Sequence, residues 1–303
     1  MNSTLRVLLT GASGFIGRQV LRQLQDAGID TVVAGRSRPE GYTGYFIEAD
    51  LLEIDSANII VQNAKASHLV HLAWYAEHVQ YWTSTLNFRW VDASVRLVES
   101  FCAAGGSKIV AAGSCAEYDW TFNICHEDHT PLNPATLYGA AKDATRRLLE
   151  AVCRNHSASL VWARVFAAYG LGEDSRRLIP ALVEVFQGNK PPFGVNANSY
   201  RDFLNVNDVA NGFLHLITSN ATGTFNIASG QPIQISNIVE AIANSFQRDP
   251  RIILDLSTER PGEPEILIGS NQKLKELGWK PTVSITEYIR NTIECSKNTK
   301  SIV

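Results

Sequence analysis

The segment "LYGAAK" at residues 137–142 sets Tyr138 four residues before Lys142. On a helix that spacing puts both side chains on one face, one turn apart. A phenol with a pKa of about 10 is a poor acid or base near neutral pH, and a nearby cation stabilises its ionised form. Alone, the pair admits two readings: a tuned proton donor and acceptor, or two side chains on a helix surface. A second chemical feature lies near the N-terminus, where "TGASGFIG" spaces Gly11, Gly14 and Gly17 as G-x-x-G-x-x-G. It sits between an apolar run at residues 6–10 and a helical pattern at 15–27. In that setting the first glycine permits a tight turn. The second lets backbone approach a pyrophosphate, and the third lets the helix pack closely on its strand. The helix N-terminus then faces the anion. Roughly 20 residues further on, an NAD site usually carries a carboxylate for the ribose. Here the chain reads Gly35, Arg36, Ser37, Arg38. An arginine there suits a 2′-phosphate, which predicts NADP rather than NAD. Arg36 stacked on adenine or facing solvent is the alternative.

These residues need a scaffold, and the periodicity supplies one. Short apolar runs at 6–10, 31–34, 45–47, 68–72, 108–112 and 159–163 alternate with helical patterns at 15–27, 86–104 and 138–155. That alternation predicts an α/β fold with a doubly wound parallel sheet, which binds ligands at the carboxyl ends of its strands. After residue 168 the texture changes to loop-rich stretches such as "PPFGVNANSYRD" and shorter elements. The expected organisation is a dinucleotide-binding domain over residues 1–168, with a return to the sheet around 203–228. A smaller, interleaved C-terminal substrate domain then covers 169–202 and 229–303.

The bulk properties exclude several classes. A net charge of −3 on 303 residues gives no electrostatic reason for a nucleic-acid or acidic-membrane partner. No run approaches about 20 apolar residues, so no membrane span is expected. The cysteines, Cys102, Cys115, Cys125, Cys153 and Cys295, are odd in number and contain no C-x-x-C pair. They predict neither a disulfide framework nor a zinc knuckle, and point to a reducing, cytoplasmic compartment. "CHEDH" at 125–129 has a metal-like composition without ligand spacing, so no metal site is expected. His71 closes a predicted buried strand and reads as a core histidine.

Taken in order, "TGASGFIG", Asp50-Leu51, "VHLAW", "AAGSCAEY", "YGAAK", "ARVFAAYG", "RDFLNVNDVA", "RPGE" and "LGWKP" run from about residue 5 to 290. The chain resembles the extended short-chain dehydrogenase/reductase family, in its NAD(P)-dependent nucleotide-sugar epimerase, dehydratase and reductase branch. The resemblance implies a Rossmann sheet and a nucleotide-sugar substrate. It implies a catalytic set of Ser114, Tyr138 and Lys142. In that set the tyrosine exchanges the proton on the sugar oxygen, the lysine lowers the tyrosine pKa and holds the nicotinamide ribose, and the serine orients the oxygen. It implies a cofactor groove of Gly11, Ser13, Gly14, Phe15, Ile16, Gly17, Arg36, Arg38, Asp50, Leu51, Leu72, Ala73, Trp74, Tyr138, Lys142 and Val165. Ser114 and Tyr138 would also meet the substrate, whose diphosphate falls to Arg201 and Arg260. The alternative for Arg201 is an ion pair with Asp202 or Asp208. The family commonly pairs through two helices, here about 86–104 and 138–155, which implies a homodimer. The apolar residues of those helices fit an internal core equally well.

Departures from the family pattern narrow the chemistry. The 4,6-dehydratases of the family carry acidic residues directly after the serine or threonine, and Cys115 and Ala116 stand there. Glu117 is out of register, which argues against elimination. Cys115 is also one position off the cysteine of C3/C5-epimerising members and reads as a small buried thiol. Many epimerases have an asparagine where this chain has Ala167. The expectation is therefore an NADPH-dependent reduction of a C4 keto group on a nucleotide-linked 6-deoxysugar. The first alternative is an NAD-dependent nucleotide-sugar 4-epimerase, and the second a non-catalytic nucleotide-binding subunit.

Overall fold

The computed structural model describes residues 5–259 and 262–291. The chain runs β1 (Arg6–Thr10), α1 (Phe15–Asp26), β2 (Asp30–Gly35), β3 (Phe46–Glu48), α2 (Ser56–Ala64), β4 (His68–His71), α3 (Leu86–Ala103) and β5 (Lys108–Ser114). It continues through β6 (Ile124–Cys125), α4 (Leu137–Asn155), β7 (Ser159–Val165), β8 (Ala167–Tyr169), α5 (Leu178–Phe186), β9 (Tyr200–Asn205), α6 (Val206–Thr218) and β10 (Gly223–Ile227). Then come β11 (Pro232–Gln234), α7 (Ile235–Ser245), α8 (Arg251–Leu254), β12 (Ile266–Gly269) and α9 (Gln272–Glu276).

Seven strands form one parallel sheet in the order β10-β7-β5-β4-β1-β2-β3. Alternate residues of one strand serve opposite faces. Val7 and Leu9 of β1 enter the core under α1 and α6, whereas Leu8 enters the core under α2, α3 and α4. Both faces are covered, so the central strands are apolar throughout, as a doubly wound sheet requires. From β1 the chain first builds outward through β2 and β3, then crosses to β4 on the other side of β1. The crevice above the carboxyl ends of β1 and β4 is the topological switch point, where such sheets take their ligands.

A second sheet, in the order β11-β9-β12-β6 with β8 paired to β9, lies over the carboxyl ends with its own core. Tyr169, Leu182, Phe186, Ile238, Ile242 and Ile253 form part of that core. The chain returns to the large sheet with α6, packed beside α1, and β10, paired to β7. Buried Asp202 ties the second sheet to the loops above it. Its carboxylate accepts from Ser229 N and Oγ at 2.6 and 2.7 Å, Gly230 N at 2.9 Å and Gly269 N at 3.1 Å.

Two differences from the periodicity have plain causes. Helix α2 does not stand out in the sequence because nine residues hold few turns. Its buried side chains, Ser56, Ala57, Ile60, Val61 and Ala64, nevertheless keep helical spacing. Strand β5 runs past the apolar pattern to Ser114, because Gly113 and Ser114 continue the parallel register opposite Arg164 and Val165 of β7. No helix among the described residues is long and apolar enough to cross a membrane.

Candidate active site

The glycine turn after β1 closes onto the loop after β4. Gly11 adopts φ +77°, and a Cβ there would lie 2.6 Å from Ala73 N, so only glycine fits. A Cβ on Gly17 would overlap the Gly11 carbonyl. Gly14 is the N-cap of α1. The first turn of α1, with Phe15 and Ile16, thus opens onto the switch-point crevice beside Leu72, Ala73 and Trp74. This cradle fits a dinucleotide: it presents the N-terminus of α1 to an anion, and Gly11 and Gly14 carry no side chain where backbone must approach the pyrophosphate. Asp50 and Leu51 lie beyond β3; Asp50 Oδ1 accepts from Leu52 N at 3.0 Å, and Leu51 is buried. Val165 ends β7 beside Ser114.

A cavity of about 470 Å³ extends from the crevice, lined in part by Ser13, Arg18, Arg22, Arg38 and Tyr42. Arg36 is exposed and does not line it. The guanidinium of Arg38 donates to Gly44 O at 2.9 Å and Tyr42 O at 3.3 Å and sits 5.1 Å over the Phe46 ring. Arg18 and Arg22 are not among the residues that the motifs single out. They stand four residues apart on α1, the spacing that shares a face, so a signal for them is present in the sequence.

Across the crevice, Ser114, Tyr138 and Lys142 come together. Ser114 ends β5 and is the N-cap of a 3₁₀ turn, Cys115–Glu117. Thr136 caps α4 by accepting from Gly139 N at 3.1 Å, which starts the helix one residue before Tyr138. Gly139 lets α4 approach the turn closely, since a Cβ there would overlap the Ala116 carbonyl. Burial holds the Tyr138 phenol above the usual tyrosine range, neighbouring Tyr81 adds to the rise, and the adjacent Ser114 side chain opposes it. Lys142 is 4 % exposed. Its Nζ donates to Ala112 O at 3.0 Å and lies 3.7 Å from the Trp74 ring centroid. Burial lowers its pKa to about 7, and the charge of Glu117 works against that fall.

Aromatic rings wall this cluster. Tyr81, Trp82 and Trp74 meet the Tyr138 ring edge-on, with centroids 4.9, 5.6 and 6.4 Å away, and Trp120 stands 6.2 Å from Trp82. Tyr81 is pushed up to about 12 by burial, against the charge of nearby Arg177. The segment carrying Tyr81 is anchored by a 2.8 Å ion pair between Glu77 and Arg176. The crowding of aromatics between Trp74 and Trp90 is a visible signal in the sequence that the motifs do not include.

The remaining expectations fall as follows. Cys115 is half-buried; burial, with the Asp202 charge adding, pushes its thiol up to about 12. A neutral thiol is a poor nucleophile. His71 hydrogen-bonds Thr10 Oγ1 at 2.7 Å and Ser94 Oγ at 2.9 Å, and burial lowers it to about 3. Arg201 pairs with neither Asp202 nor Asp208, whose carboxylates are taken by Ser229 and Thr282. It donates to Tyr200 O at 2.9 Å and lies 3.5 Å from Glu263. Arg260 lies outside the described residues, as does Cys295. Among the described residues no group of three His, Cys, Asp or Glu could hold a metal, and Asp128 of "CHEDH" pairs with Lys273 at 3.2 Å.

Residues 7–228 match the model of the NAD dependent epimerase/dehydratase family. The chain is similar to a UDP-glucose 4-epimerase of Azospirillum brasilense, at 25% identity over 91% of this chain and 87% of that protein. Among solved structures it resembles MoeE5 in complex with UDP-glucuronic acid and NAD, with a TM-score of 0.82, 25% identity, and 97% and 99% of the two chains covered. It also shares the fold of the Thermus thermophilus UDP-glucose 4-epimerase complex with NAD, with a TM-score of 0.83, 24% identity, and 96% and 98% covered.

Proposed function

The chain belongs to the NAD-dependent epimerase/dehydratase family, an extended short-chain dehydrogenase/reductase type of enzyme, and from that premise we propose that it is a nucleotide-sugar 4-epimerase. The observation that carries the reading is the convergence of Ser114, Tyr138 and Lys142 beside the dinucleotide cradle, with Cys115 and Ala116 where an elimination would use carboxylates. Glu117, the nearest carboxylate in sequence, turns into the core to meet Arg164. This set suits hydride transfer at one carbon without loss of a hydroxyl. Relatives named as UDP-glucose 4-epimerases align along nearly the whole chain and favour epimerisation over net reduction.

In this reading the glycine turn of Gly11, Gly14 and Gly17 would hold NAD, which would supply the reversible hydride acceptance at C4 that epimerisation needs. Tyr138 takes the C4 hydroxyl proton as the hydride leaves and gives it back to the keto oxygen on return. Ser114 hydrogen-bonds the same oxygen. The Lys142 ammonium stabilises the Tyr138 phenolate and holds the nicotinamide ribose. Arg201 is the candidate for the sugar diphosphate, through the bidentate geometry of its guanidinium.

A second reading, NADPH-dependent reduction of a 4-keto (6-deoxy)sugar, is favoured by one observation. No carboxylate stands directly after β2, where Arg36, Ser37 and Arg38 follow, and Arg18, Arg22 and Arg38 line the adjoining cavity together with Glu40. One experiment separates the two. The purified protein is denatured, the released nucleotides are identified by mass spectrometry, and UDP-glucose is then supplied without added cofactor. Retained NAD and a product epimeric at C4 support the proposal. A protein that purifies empty, converts no UDP-glucose, and consumes NADPH in step with a 4-keto sugar overturns it in favour of reduction.

A further inference from the structure

Behind Ser114 lies a buried ion pair that the proton-transfer cluster does not itself contain. Glu117 is 0 % exposed and Arg164 1 % exposed. Arg164 Nε donates to Glu117 Oε2 at 2.7 Å, and the indole of Trp162 donates to both carboxylate oxygens at 3.0 and 2.9 Å. Arg164 also donates to the Tyr118 hydroxyl at 3.1 Å, which donates in turn to Asn226 Oδ1 at 2.8 Å. A hydrophobic pair of similar volume in such a place is often as stable or more so. Stability alone therefore gives little reason for the charges.

Two contacts give a better one. The turn after β5 is a reciprocal capping box: Ser114 Oγ accepts from Ala116 N at 3.2 Å, and Glu117 Oε1 accepts from Ser114 N at 2.7 Å. The carboxylate thereby fixes the backbone from which the Ser114 hydroxyl projects. Two residues earlier on the same strand, Ala112 O holds Lys142 Nζ. Gly113 lies between these anchors, and a Cβ there would come 2.7 Å from Glu117 Oε1, so the strand is shaped to admit the carboxylate.

We propose that Glu117 is a positioning residue for hydride transfer: its carboxylate holds Ser114 in place and is the buried counter-charge of Lys142. This rests on the roles given above to Ser114, Tyr138 and Lys142. The groups around Lys142 are Glu117 from the turn after β5, His71 from β4, the Trp74 ring from the loop after β4, and Tyr138 from α4 itself, while Arg164 of β7 pairs with the same Glu117 carboxylate and offsets part of its charge. His71 is neutral above about pH 3, and the two aromatic rings carry no charge near neutrality. Glu117 is the carboxylate of the set.

The test reads Lys142 directly. Carbon NMR of the lysine Cε atoms, with the Lys142 signal assigned by its loss in Lys142→Met, follows its titration in cofactor-free protein. Glu117→Gln is expected to lower the midpoint by about one pH unit and to cut kcat while leaving the sugar KM nearly unchanged. Glu117→Asp keeps the charge but shortens the reach to Ser114 N, so it is expected to keep the midpoint and lose kcat. An unmoved midpoint in folded Glu117→Gln overturns the counter-charge role. Wild-type kcat in both variants overturns the positioning of Ser114. Should Glu117→Gln not fold, the double variant Glu117→Gln, Arg164→Met removes both charges together and tests the positioning of Ser114 through kcat, with wild-type kcat overturning it. Turnover surviving Tyr138→Phe would instead refute the proposed acid/base chemistry, whereas the Lys142 midpoint is read without substrate or cofactor and is judged separately.

Discussion

Replacing Tyr138 by Phe removes one hydroxyl and leaves the ring in place. The ring is held by edge contacts with Tyr81, Trp82 and Trp74, and none of these uses the hydroxyl. Ser114 Oγ keeps its contact with Ala116 N. Folding stability should therefore change by about 1 kcal/mol at most, the ordinary worth of one hydrogen bond. The glycine cradle lies on the other side of the crevice, so dinucleotide binding should persist. What is lost is the proton donor and acceptor, whose positioned transfer contributes about 10²–10⁴ in rate. That corresponds to about 3–5 kcal/mol of barrier. The assay is single-turnover conversion of UDP-glucose, monitored together with thermal unfolding and bound-nucleotide content. Turnover within about tenfold of wild type, in a variant that still holds its nucleotide, would lie outside the range for a lost acid/base group. It would refute the reasoning.

Further expectations follow from other parts of the molecule. In the cofactor-free protein Lys142 titrates at about 7, lowered from 10.5, so the cation populates below that value and is lost as pH rises through it. If the cation is required, kcat/KM should decline above pH 7, and a profile flat from pH 6 to 9 would contradict this. Gly11→Ala should weaken dinucleotide binding by roughly tenfold or more, because a Cβ at φ +77° and 2.6 Å from Ala73 N imposes about 1–3 kcal/mol of strain. Isothermal titration of the nucleotide-stripped protein measures it. Phe88 on α3 is 59% exposed and Leu148 on α4 46% exposed. They offer an apolar face for a second copy. Sedimentation should show a dimer that Phe88→Glu with Leu148→Glu converts to a monomer; a monomeric wild type would exclude the pairing.

The doubly wound sheet, the glycine turn and the Tyr138–Lys142 pair were all legible in the sequence, because each depends on spacing within one element or on the order of elements along the chain. An unbroken apolar run before the glycine turn marks β1, and a four-residue step on α4 sets Tyr138 beside Lys142 whatever α4 packs against. The membership of Ser114 in the same cluster was reached through the family pattern, since a serine after a strand says little alone. Glu117 could be placed out of register for elimination, but its direction could not be read. That direction depends on Trp162 and Arg164, two residues apart on one face of β7, lying opposite Ala111 and Gly113 of β5. Only the parallel register between two strands separated by a helix brings them together. The same holds for Arg38, whose guanidinium the following loop partly claims, and for Arg18 and Arg22, which reach its cavity from α1. The wall of Tyr81, Trp82 and Trp120 likewise forms from two loops that meet only over the finished sheet. Spacing along the chain settles which side chains share an element. Register and loop closure settle which elements share a site, and tertiary packing alone decides those.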